Sequence, residues 1–303
     1  NKRVRCINRQ NSVLYEWAEM KKYNITIRAK GALLLLGAQI SFQLMNVLAR
    51  CAGDGVSPIF KTFFRNIVTA AVIIVPFIKG GKRFILKKQS IFWHLLRSLA
   101  GTLGVICNFY AFDHMLFSDA TAIITMSPFF TIVFSAILIK EKTTLKQWIS
   151  VLMAFCGMVL IVRPSVEGVV STPALSALAV AVFTGIAYTS VRKLGIIGED
   201  PAVTVLLFSL FSSIVCMPNA FIHKPIFQEM QFLFLISAAI CACVGQILIT
   251  NAYKFAKASE ISILDYSSII FSNILGWILF GEKAQPQSFI GYGIILIAGM
   301  YMF

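Results

Sequence analysis

"SDATAIITMSPFFTIVFSAILIKEK" occupies Ser118–Lys142, and "SEISILDYSSIIFSNILGWILFGEK" occupies Ser259–Lys283. Each is an apolar run long enough for a bilayer core, which takes about 20 residues of helix. Each ends in Glu-Lys. At a shift of 141 residues the two match without a gap, pairing Ser118/Ser259, Ser127/Ser268, Phe130/Phe271, Leu138/Leu279, Glu141/Glu282 and Lys142/Lys283. A carboxylate at a helix C-terminus opposes the macrodipole, so its recurrence at equivalent positions points to duplication. The same shift pairs Gly104/Gly245, Ala111/Ala252 and Ile149/Ile290.

Working outward, the sequence divides into ten apolar spans with short connections. Breakers such as "AGDG", "KGGKR", "GEDP" and "GEKAQP" separate them. Residues 31–163 hold five spans and residues 172–303 hold five. An odd number per unit requires the second unit to enter the membrane upside down relative to the first. The expected fold class is therefore an all-α integral membrane protein, ten transmembrane helices as two inverted five-helix repeats. Inverted repeats are how many secondary transporters build two interconvertible states.

Composition agrees. Of 303 residues, 58% are hydrophobic and only 13% charged, with mean hydropathy +0.80; soluble domains carry roughly 25% charged residues. The net charge of +14 sits in short loops between apolar runs, which excludes a solvated basic face for nucleic acid. Seven scattered cysteines, mostly inside apolar runs, read as free thiols rather than a disulfide framework. The partners expected are the lipid bilayer and a small-molecule substrate.

Lysine and arginine fix the expected orientation. Residues 1–30 and the even-numbered loops hold twenty of them, the odd-numbered loops four, and Lys61, Arg65 and Arg97 lie within spans. By the positive-inside rule both termini face the cytoplasm. The segment 1–30 is too polar to span and lacks the apolar core of a signal peptide. Two readings stay open: a short interfacial helix carrying Val13, Leu14 and Trp17, or an authentic start at Met20.

Several motifs carry a family likeness. "FFRN" lies in span two, "LLRSLAGTLGVICNFYAF" in span three and "SDATAIITMSPFFTIVFSAILIKEK" in span four. "GMVLIVRP" closes the first half and "ILGWILFGEK" echoes the pattern in the second. Over about residues 31–303 the chain resembles the drug/metabolite transporter superfamily in its EamA-like branch. The third-to-fifth-span stretch is also similar to the solute carrier 35 group. The resemblance implies ten helices, a central cavity, alternating access, no cofactor, and substrates ranging from amino acids to nucleotide-linked compounds and amphiphilic drugs. It also implies a bacterial inner (plasma) membrane.

Polar residues inside spans are expensive in lipid and usually face a cavity. Gln39, Gln43 and Asn46 share one stripe of span one, where interhelical hydrogen bonding competes with cavity lining. Arg97, Gly101, Gly104 and Asn108 share a stripe of span three. At 1.5 Å per residue Arg97 lies roughly 9 Å from the cytoplasmic end, within snorkelling reach, and Arg65 roughly 12 Å from the outer end. Lys61 is nearer the surface and is expected to snorkel. Arg65 and Arg97 are the candidates for a substrate's negative group, with Gln43, Asn46, Asn108 and Tyr188 as polar contacts and Tyr266 and Trp277 as walls. Asp265, the carboxylate well inside span nine, can pair with Arg97 or take up a proton and couple transport to a proton gradient. Pro128 frees a carbonyl near Ile124 and is expected to kink span four, a candidate gating bend.

No nucleophile elbow, zinc-protease motif, phosphate-cradling loop or metal cluster appears, so no enzyme activity is expected. Without a nucleotide motif, active transport must be gradient-driven or exchange. The expected function is a secondary transporter of a small polar metabolite, an amino acid or another compound bearing a carboxylate or phosphate. The alternatives are an exporter of cationic amphiphilic drugs and a non-transporting membrane scaffold or sensor.

Overall fold

The computed structural model describes residues 30–53, 55–80, 84–140, 142–162, 171–222, 229–255 and 262–302. Regular structure among them is helical throughout. Ten helices follow in order: α1 Lys30–Cys51, α2 Pro58–Ile78, α3 Ile91–His114, α4 Phe117–Ile139, α5 Leu145–Val162, α6 Thr172–Ile197, α7 Pro201–Ile222, α8 Glu229–Phe255, α9 Ser267–Phe280 and α10 Pro286–Met302. Seven are long and apolar enough to cross a membrane by length and composition, and Leu145–Ile161 and Leu264–Phe280 are shorter apolar helices. The proposed interfacial helix, Met20 and Glu141 lie outside the described residues.

Local signals start and stop these helices. Ser57 accepts a 3.2 Å hydrogen bond from Phe60 N–H, and Pro58 follows in the first turn, where its missing N–H costs nothing. Gly198, at φ +81°, closes α6 in a left-handed cap; its N–H bonds Gly195 and the next N–H bonds Leu194.

The duplication is written in the backbone. α4 breaks at Thr125–Met126 and resumes at Ser127, with Pro128 in its first turn. α9 is preceded by a tight turn, Ser262–Tyr266, and begins at Ser267, the residue 141 positions after Met126. The second break has no proline. Hydroxyls serve it instead, Ser267 Oγ donating to Leu264 O and Ser268 Oγ to Asp265 O, both at 2.6 Å. The helices also end alike: Lys140 is left-handed at φ 59° and Gly281, 141 residues on, at φ 62°. A lysine tolerates that conformation only at a cost of about 1–2 kcal/mol, so the geometry belongs to the architecture rather than to glycine.

α4 packs on α9, α2 on α7 and α5 on α10, each helix against its counterpart, while α3 lies along α6. Small residues bring α5 and α10 together. A Cβ on Gly157 would stand 2.9 Å from the Gly291 carbonyl oxygen, and Ser150, Ala154, Ile295 and Ala298 are fully buried. Without a hydrophobic driving force between helices in lipid, such close approach is what binds them.

Lys61 corrects an expectation. It does not snorkel: it is 1% exposed, and its Nζ donates to both carboxylate oxygens of Asp113 at 2.7 and 2.8 Å. α2 and α3 are thus tied by a buried ion pair near one end of the molecule. At the other end Glu199 joins the α6–α7 turn to the α2–α3 connection. Its Oε1 accepts from Lys87 N–H at 3.1 Å, Lys87 Nζ donates to the carbonyls of Ile197 and Gly198, and His94 Nε2 stands 3.8 Å from Oε2.

Two outcomes follow. Lys61→Met strands a buried carboxylate and is expected to cost about 3–5 kcal/mol. Lys61→Met combined with Asp113→Leu recovers most of that loss in unfolding experiments in detergent. Burial of Glu199 favours its neutral form, but bonds from Ser90 and Lys87 and the charges of His94 and Lys87 outweigh it, holding the carboxyl below its ordinary value of 4.5. Its stabilising contribution is therefore complete above that value and fades as pH falls through the depressed one. Glu199→Gln should lower the melting temperature at neutral pH, with the gap from wild type closing in acid.

Candidate functional site

Where the broken helices cross, Thr125 Oγ1 and Ser268 Oγ lie 3.2 Å apart. Beside this crossing is a cavity of about 190 Å³. α1 brings Gln39, Gln43 and Asn46 to it, α2 brings Arg65, and α3 brings Arg97, Gly101, Gly104 and Asn108. Tyr188 enters from α6, Phe208 from α7, Gln246 from α8, Asp265 from the turn before α9 and Ser268 from α9 itself.

Arg97 does not snorkel. It is 7% exposed, its guanidinium carbon lies 4.2 Å over the Phe208 ring, and its Nε has no hydrogen-bond partner. Gly101 creates the room: a Cβ there would collide with Arg97 Nη1 and stand 2.7 Å from Phe208 Cε2. This glycine serves the arginine four residues earlier rather than close helix packing. Arg65 is 8% exposed, and its Nε and Nη1 are both buried without a partner. Two guanidiniums thus face one small cavity with donors unused. Arginine does not deprotonate in proteins, and a buried unmatched donor on a charged group is costly.

The other polar groups are arranged among themselves. Asn108 Nδ2 donates to Asn46 Oδ1 at 2.9 Å, and Gln39 Nε2 donates to Asp265 Oδ1 at 2.6 Å. Among the described residues no ion pair joins Arg97 to Asp265; the arginine rests on Phe208 and the carboxylate is held by Gln39. Gln43 Oε1 is buried without a partner. Cavity groups therefore include unmatched donors on two cations, an unmatched amide oxygen and a carboxylate already held.

Of the residues singled out in the sequence, Arg65, Arg97, Gln43, Asn46, Asn108, Tyr188 and Asp265 all line this cavity. Two do not. Tyr266 is 2% exposed in the core, its ring 6.1 Å from Phe129. It is the last residue of the turn before α9, and its ring packs on the α4–α10 side rather than in the cavity. Trp277 is 63% exposed on the outer surface of the bundle. Pro128 sits just after the break in α4, as expected, but does not line the cavity.

Phe208, Gln246 and Ser268 escaped the sequence reading. Phe208 and Ser268 resemble ordinary span residues, and only their neighbours across the bundle give them meaning. Asp119 was also missed: buried in the first turn of α4, it accepts a hydrogen bond from Tyr292 of α10. Its place at a helix N-terminus, where a carboxylate is favoured, was the available signal.

Known proteins share this architecture. A solved crystal structure superposes with a TM-score of 0.64 over 90% of this chain and 96% of its own, at 18% identity, which establishes the fold alone. The pseudopaline exporter of Pseudomonas aeruginosa is 27% identical over 88% of this chain and 94% of its own length. The riboflavin transporter of Vibrio cholerae is 26% identical over 89% and 91%. The profile of the EamA-like transporter family matches residues 29–163 and again residues 171–303. With both halves of its ten-helix frame matched in this way, the chain belongs to the EamA-like transporter family.

Proposed function

We propose that this protein is a secondary transporter that carries a small polar metabolite bearing a carboxylate or phosphate, such as an amino acid, through the cavity beside the α4–α9 crossing. The observation that carries this reading is the pair Arg65 and Arg97, buried with unused N–H donors on one cavity. An anionic group satisfies such donors with charge-assisted bonds, and guanidinium geometry suits carboxylate and phosphate. Asn46, Asn108, Gln43 and Tyr188 supply the surrounding polar contacts. The relatives move small molecules, as the names of the pseudopaline exporter and the riboflavin transporter state.

Alternating access follows from two five-helix units inserted in opposite senses, each with a helix broken at the same register. Pro128 in α4 and the hydroxyl-served turn before α9 are the bends about which the units rearrange. Asp265, held by Gln39, is the candidate for proton coupling. The lysine and arginine bias supports termini on the cytoplasmic side, and the bacterial relatives support an inner membrane.

The test begins with a metabolite library screened by thermal shift, followed by counterflow of the hits in liposomes. Arg65→Gln should lower anion counterflow about ten- to hundredfold, the worth of a charged hydrogen bond of about 1.5–3 kcal/mol. Arg65→Glu should abolish it while leaving any cation transport intact. Undiminished anion flux in either variant would remove Arg65 from the site. For orientation, native Cys51 and a cysteine at Lys88 should label from opposite sides of the membrane; labelling from one side contradicts the inverted arrangement.

A further inference from the structure

At one end the cavity is bordered by two layers of side chains. Phe112 lines the cavity, and its ring centroid is 4.7 Å from that of Phe117, which lies 5.9 Å from Phe280. Val47, Phe117 and Ala120 complete this layer, all buried. Above the rings lies Glu282. Its Oε2 accepts from the backbone N–H of Phe117 at 2.7 Å, and Arg50 Nη1 approaches Oε1 to 2.7 Å. The Arg50 guanidinium also lies 4.4 Å over the Phe280 ring.

Three helices meet at this carboxylate: Arg50 ends α1, Phe117 begins α4 and Glu282 follows α9. The bond to Phe117 N–H fills one of the unpaired donors at the start of α4 and places negative charge at its dipole. The glutamate of the second Glu-Lys motif therefore does not burden its own helix; it caps another one.

We propose that Glu282 is the latch of a gate at this end, and that the Phe117–Glu282 contact must break for the cavity to open there. The inference rests on the transport reading, because only a carrier needs this end to open. Arg50 moves with Glu282 and keeps it charged and aimed, while the Phe112–Phe117–Phe280 layer excludes water beneath. α9 separates from α4 along Gly276, whose added Cβ would stand 3.5 Å from that of Phe117.

The test uses a chain whose seven native cysteines are replaced, with Val105→Cys as a reporter in the cavity and a membrane-impermeant maleimide applied from the side opposite the termini. Glu282→Ala should speed labelling about fivefold by removing the cap. A second variant, Phe117→Cys with Gly276→Cys, places two thiols at disulfide distance. Oxidised, it should label at background rate, and reduction should restore labelling in the same molecules. Labelling that ignores both Glu282→Ala and the disulfide overturns the latch. Arginine-dependent flux that persists through a fully oxidised pair also overturns it, while leaving the transport reading standing. Labelling that follows the latch with no flux of any metabolite removes the transport reading instead.

Discussion

A guanidinium cannot shed its proton, and a hydrocarbon interior cannot hydrate it. That constraint organises the centre of this molecule. To keep Arg97 inside, the sequence gives up a side chain at position 101, so the guanidinium can fold back along its own helix onto Phe208. On α2 the other cation, Lys61, pairs with Asp113, while Arg65 faces the cavity. Cations on one helix thus meet two fates. One is neutralised by a carboxylate at hydrogen-bond distance, and one stays available. The difference separates a neutralised cation from one whose buried donors face a cavity more sharply than depth in the membrane does.

The second organising element is the pair of broken helices. A continuous helix satisfies its own backbone and offers nothing to a polar solute in lipid. A break exposes backbone carbonyls and must be served by other groups. In α4, proline removes a donor. In α9, serines satisfy the carbonyls at the equivalent register. One architecture is reached by two chemistries, which argues that the break itself is what both halves retain. It also explains why the cavity lies beside this crossing.

Much of this was legible in the sequence. Apolar run lengths gave ten helices, Pro128 marked the bend in α4, and the 141-residue offset paired the two Glu-Lys helix ends, whereas the matching break before α9, which has no proline, was not read. Seven cavity residues could be named because a polar side chain inside an apolar span has few other places to go. What could not be read was pairing across the bundle. Lys61 looked like a snorkelling residue because Asp113 is 52 positions away. Asp265 looked like a partner for Arg97 because their depths matched, but depth does not say which cavity neighbour each side chain reaches, and Gln39 holds the carboxylate while Phe208 carries the guanidinium. Trp277 failed because nearness to Asp265 along the chain leaves the direction of its side chain undetermined, and it faces the outer surface. Tyr266 failed because the turn before α9 is not α-helical, so 3.6-residue spacing does not carry across it.

The α5–α10 contact has a mechanical consequence. Gly157 and Gly291 bring backbone against backbone, with no side chain thick enough to act as a cushion. Pulling these helices apart would open a slot too thin for an acyl chain to fill, so separation is resisted over its whole length. Rolling about the shared line costs far less, because the touching surfaces stay in register. The two helices therefore share a line of contact that resists parting far more than it resists rolling.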